Sequence, residues 1–219
     1  DLENSDEYGH AVQFLALEPS WGAGGSILQE FLLYMPGGGQ NNLSYTQNHE
    51  YDEVKLSRLA GNALGEVGIG STAVQVGMGS IFKRAINPKV EVLFRSTELR
   101  TFDFSFFFAP QSRQESDELY GMLNRFRYYA APETDFAGLL FKSPSEWRIF
   151  FYYKNNQKAW NVNPYLPKIS KCVCTRIDVD INPDSEFSTF ENGDPVSARL
   201  TMRFVEMEII DKKLIDKGF

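Results

Sequence analysis

The residue types that usually carry chemistry are sparse in this chain and poorly grouped. There are two histidines, His10 and His49, and neither stands in a triad order or at a metal-ligand spacing. Cys172 and Cys174 are one residue apart. On a strand they share a face, where disulfide geometry is seldom reached, and two thiolates alone are too few for structural zinc. Two reduced thiols in a reducing compartment are expected. Asp178 and Asp180, in "DVD", place two carboxylates on one strand face. That pattern suits a hard cation or an acid/base pair, but a plain polar strand face is commoner. "NPDSEFSTFEN" is acidic without the ligand spacing of an EF-hand. "GIG" and "GMG" lack the strand–GxGxxG–helix setting, and no GxxxxGK[ST] occurs. "TFDFSFFF" invites comparison with a base-stacking strand, yet Asp103 and Ser105 stand at its centre, and its phenylalanines read as core. The expectation is a non-enzyme with no catalytic residue, no cofactor and no metal.

The whole chain fits that expectation. Its 219 residues are 42% hydrophobic and 14% aromatic, enough for one substantial core and too apolar for disorder. No run approaches the roughly 18 apolar residues of a membrane span, so no membrane partner is expected. The net charge of −7, from 29 acidic and 22 basic residues, argues against a phosphate-neutralising nucleic-acid binder. It suits a surface that DNA passes without sticking. The chain opens at Asp1 with neither an initiator Met nor a basic-then-apolar leader, so no secretion signal is expected, and a longer gene product remains open.

Period-two and helical patterns set out the elements. Strands are expected over 11–19 and over 27–36, where Pro36 and three glycines stop the chain. Residues 40–50 read as loop, 51–64 as a helix, and 61–80 as a Gly/Ala-rich stretch. In 87–94, Val90, Val92 and Phe94 alternate with Glu91, Leu93 and Arg95. In 101–108, Phe102, Phe104, Phe106 and Phe108 share one face. Across "STELR" the two read as a β-hairpin. Ser112 and Glu115 then form a capping box for a helix carrying Leu119, Met122, Leu123, Phe126 and Ala130. Later strands are expected over 146–154, 171–181 and 197–210, with loops over 155–167 and 182–195. In 171–181, Val173, Ile177, Val179 and Ile181 oppose Arg176, Asp178 and Asp180. The fold class is α+β, mainly β: packed antiparallel sheets or a partial barrel with one docked helix.

Segment 86–133 ends its aromatic strand in "APQS", continues in an acidic helix and closes on "FRYYAAPE". Segment 143–215 brings "SPSEWRIFFYY", an "IDVDINP" strand and "PVSARLTMRFVEMEII" in that order. Together with "FLLYMP" these resemble the tail-tube family of contractile-tailed bacteriophages, and within it the baseplate tube-cap branch of T-even-like phages. The resemblance implies a tube-type domain made of 1–36 and 86–219, with 37–85 as an inserted, flexible loop and helix region. It implies a homohexameric ring, a structural virion protein assembled in the host cytoplasm. That ring would sit on the central baseplate hub, cap and join it to the tail tube, and initiate tube polymerisation. Its partners would be further copies of itself, tail tube protein, hub and tube-initiator ring proteins, and sheath, wedge or tape-measure proteins, with DNA only in transit through the lumen. On this reading Glu91, Arg95, Asp103, Ser105, Arg176, Asp178 and Asp180 face the lumen or a neighbouring subunit. The face of Phe102, Phe104, Phe106 and Phe108 packs under Leu119, Leu123 and Phe126. Two alternatives stay open: the repeating tube subunit or neighbouring initiator ring, and, from another class, a hydrolase using Asp178 and Asp180.

Overall fold

The computed structural model describes residues 9–19, 25–35, 42–55, 90–135, 138–154, 159–183, 189–190 and 193–219. The chain is mainly β and divides into two compact units, 1–47 with 99–219, and 48–98.

In the larger unit β1 (His10–Leu17), β2 (Ile27–Tyr34), β3 (Asn42–Thr46), β6 (Thr101–Phe108), β9 (Glu146–Lys154), β11 (Cys172–Ile181) and β12 (Ala198–Glu206) form one antiparallel sheet. Their order is β2-β1-β9-β11-β12-β6-β3, and a short β10 (Trp160–Val162) pairs with β9. Helix α1 (Arg113–Ala130) follows β6, a small β7 (Glu133–Asp135)–β8 (Leu140–Lys142) hairpin follows the helix, and a single turn, α2 (Lys212–Ile215), closes the chain.

The alternating residues force this sheet to curl. β1 and β6 lie four strand steps apart, about 19 Å in a flat sheet. Yet the rings of Phe14 and Phe104 meet at 5.1 Å, and those of Phe104 and Phe151 at 6.2 Å. The inner faces of β1, β6, β9 and β12 wrap around one aromatic core that includes Phe14, Phe102, Phe104, Phe106, Trp147 and Phe204, each no more than 1% exposed. Burying each such side chain contributes about 1.5–3 kcal/mol. The curl stops short of a closed barrel among the described residues: β2 and β3 end the order unpaired with each other.

Helix α1 starts where expected. Ser112 Oγ accepts from Glu115 N–H at 3.3 Å, and Glu115 Oε2 reaches back to Gln111 N–H at 2.8 Å, one residue before the cap. Phe126 stacks on Phe31 at 3.9 Å and meets Phe14 at 5.7 Å. The expected packing of the phenylalanine face under the helix is therefore refined: Leu123 and Phe126 join the same core, with Leu119 and Phe108 at its margin, but Phe14 stands between Phe126 and both Phe104 and Phe106.

Three local expectations are corrected. The hairpin joining 87–94 to 101–108 does not form: β5 (Val90–Thr97) pairs with β4 (His49–Lys55), whereas β6 pairs with β12 and β3. Both segments hold strands, but only β6 buries one face, since Val92, Leu93 and Phe94 of β5 are all at least half exposed; and alternation does not name a partner. The helix expected over 51–64 is a strand through Lys55, and the rest of that span lies outside the described residues, as does 61–80. Tyr51 packs edge-on against Phe94 at 5.7 Å, a cross-strand pairing that outweighs helical spacing. The expected loops at 40–50 and 155–167 hold β3 and β10. β4 and β5 lie in the smaller unit.

Val173 is a fourth correction. Opposite β12, the register slips between Cys174 and Arg176, leaving Thr175 as an extra residue. Before this bulge Cys172 and Cys174 face the core, and Val173 pairs with Val205 on the other side; after it Ile177 and Val179 turn inward. Ile181 stays about half exposed.

Candidate functional site

The outer face of the large sheet carries the candidate residues. Because Leu200, Met202 and Phe204 point into the core, Thr201 and Arg203 must point outward, and antiparallel register carries that parity to neighbouring strands. Asp103 on β6 lies opposite Arg203, Ser105 opposite Thr201, Arg176 opposite Arg203, Asp178 opposite Thr201, and Asp180 opposite Arg199. Asp103, Arg176, Asp178 and Asp180 line one open groove of about 750 Å³, together with Thr201, Arg203 and Arg127 of the helix. Ser105 shares the face but does not line the groove.

The charges on this face are interleaved. Arg203 grips Asp103 through two hydrogen bonds, Nε to Oδ1 at 2.6 Å and the second guanidinium nitrogen to Oδ2 at 3.2 Å. The bond and the charge of Asp103 hold the Arg203 guanidinium above its ordinary pKa. Arg176 Nε sits 2.5 Å from Asp178 Oδ2. Both pairs are open to water, where solvent and salt screen them and they contribute little to stability. Asp178 thus meets a cation before any substrate could, which weakens an acid/base role for it. Among the described residues no group of three or more His, Cys, Asp or Glu side chains is placed to hold a metal ion.

Glu91 and Arg95 belong to the other unit, on β5. Arg95 approaches Glu50 at 3.9 Å and Asp52 at 3.8 Å across the β4–β5 ribbon.

A buried ion pair pins the end of the charged strands. Arg100 and Glu206 are 4% and 1% exposed. Two bonds of 2.7 Å join them, Ser170 N–H donates to Glu206 at 2.8 Å, and Arg100 also donates to the Lys168 carbonyl at 3.0 Å. These bonds supply what a desolvated pair needs.

Both cysteines are free. Burial pushes the Cys172 thiol up, helped by the charges of Glu206 and Cys174. Burial pushes Cys174 up to about 12, opposed by its hydrogen bond to the Arg176 backbone. Neither is poised as a nucleophile.

Thr201, Arg203 and Arg127 were not singled out from sequence. The alternation of "LTMRF" already put Thr201 and Arg203 opposite Leu200, Met202 and Phe204, so that signal was available. Arg127, next to the core residue Phe126, gave none.

The other half of the same outer face differs. β2, β1, β9 and β10 present Leu32, Tyr34, Phe150, Tyr152, Trp160 and Val162. Tyr34 and Trp160 close over Gly9, where an added Cβ would lie 3.1 Å from each ring.

No family model matches the chain, and no curated protein matches it. Among the described residues no helix is long and apolar enough to cross a membrane.

Proposed function

We propose that this chain is a structural ring protein of a contractile phage tail, a cap that joins the baseplate hub to the tail tube. The observation that carries the reading is the split outer face of a curled, unclosed sheet. Interleaved charges suit a wet channel that DNA crosses without adhering, and exposed aliphatic and aromatic side chains suit burial against a neighbour. The edges at β2 and β3, unpaired among the described residues, are templates for further pairing. On this reading Asp103, Ser105, Arg176, Asp178 and Asp180 face the lumen, Leu32, Tyr34, Trp160 and Val162 face the next copy, and the β4–β5 ribbon carrying Glu91 and Arg95 meets another baseplate or tube component. The tail-tube resemblance of 86–133 and 143–215 supplies the biological setting, including the hexamer.

The test is negative-stain electron microscopy of the purified protein, alone and then with baseplate hubs and tube protein. Rings only on hubs, with tubes growing from them, are expected. Long tubes from the protein alone would make it the repeating subunit instead. Particles without rings under any condition, or a hydrolytic activity lost in Asp178→Asn, would overturn the structural reading.

A further inference from the structure

Two features elsewhere in the larger unit fit each other. The first is a knob. In the β7–β8 hairpin Leu139, Leu140 and Phe141 are consecutive and 77%, 62% and 75% exposed. Gly138, just before them, has φ +86°, a left-handed conformation that suits glycine. At the base of the hairpin, Lys142 Nζ lies 3.5 Å from Glu133.

The second is a hole. A groove of about 460 Å³ runs between α1 and the end of β11, within the usual range of apolar binding pockets, about 300–1,000 Å³. Leu119, Leu123, Val179 and Ile181 give it an apolar lining, and Asp117, Asp194 and Arg127 stand among its lining residues. β11 leaves β9 after Val173, and among the described residues the helix flanks that edge of β11.

We infer that the Leu139–Phe141 knob of one copy seats in the α1–β11 groove of a second copy. Apolar side chains meet an apolar lining, Lys142 faces Asp117 and Asp194, and Glu133 faces Arg127, so the charges at the base of the knob complement those of the groove in both signs. The occupant is a second copy of this chain because the chain itself carries both halves of the match. Knob and groove are different surfaces, so the contact is heterologous, and each copy offers a free knob and a free groove to the next. Three side chains fall short of the roughly 800 Å² per partner of a standard interface, so the contact sets the orientation of neighbours within a larger association. It holds for any function that brings copies together, and its test does not involve the hub.

Two single-cysteine additions, Phe141→Cys and Ile181→Cys, both at exposed positions, are mixed and oxidised at high protein concentration. The expected product is the mixed dimer linking Cys at 141 to Cys at 181, with little of either self-linked dimer. In sedimentation velocity Phe141→Asp should weaken self-association at least about tenfold, with circular dichroism unchanged, and Lys142→Glu should weaken it less. Symmetrical cross-links only, equal association of wild type and Phe141→Asp, or a wild type that stays monomeric at every concentration would each overturn the inference.

Discussion

The two halves of one sheet's outer face differ although they share one core. On β6, β12 and β11 the outward residues include the charged Asp103, Arg203, Arg176, Asp178 and Asp180; on β2, β1, β9 and β10 they are mostly aliphatic and aromatic. The inner face demands the same thing of both halves, an apolar side chain at every second position. Only the outer positions are free to differ, so they record what each half meets outside the chain. β11 is where the two halves part, since it pairs with β9 through only two residues, Cys172 and Val173.

The largest effect should come from removing what both halves share. Phe104→Asp places an unpaired carboxylate among the rings of Phe14, Phe106, Phe151 and Phe204 and should abolish soluble folded protein, read by expression and near-UV circular dichroism. Next is the charged half's anchor. Glu206→Gln strands the buried Arg100 charge and should cost about 3–5 kcal/mol in urea unfolding.

The comparison sharpens with substitutions that spare the core. Leu32→Asp, at a 61% exposed site on the apolar half, should move monomer stability by no more than about 0.5 kcal/mol, while ring formation on hubs is lost. Asp103→Asn on the charged half should cost less than about 1 kcal/mol and leave rings intact. Equal loss of rings in both would erase the distinction.

The smallest effect is at the junction. The unfolded Cys174 thiol ionises near 9.0, whereas the folded one keeps its proton to about 12. The folded state therefore binds more protons in that window, and stability falls as pH rises through it. Cys174→Ser should flatten the slope of the urea midpoint between about pH 8 and about pH 10.

Most strands of the larger unit were legible because a half-buried strand writes its own period into the sequence. "TFDFSFFF" and "EWRIFFYYK" each matched a strand, and the one expected over 197–210 holds a strand that ends at Glu206. Pairing was not legible: β5 and β6 looked like one hairpin, and nothing local reveals that Phe102 to Phe108 pair with a strand almost a hundred residues later. Of the candidate site, Asp103, Arg176, Asp178 and Asp180 came together, because outward parity on three neighbouring strands is additive. Glu91 and Arg95 did not, since their strand pairs elsewhere.

Thr175 has a consequence for how this chain can change. One extra residue lets a single strand follow two reading frames, with even positions inward before it and odd positions inward after it. Deleting Thr175 would merge the frames into one regular alternation, with Cys172, Cys174, Ile177 and Val179 all on the inward face. Loss of Thr175 should therefore be tolerated far better than loss of a residue beyond Ile177, such as Asp178, which would move Val179 to the outward face.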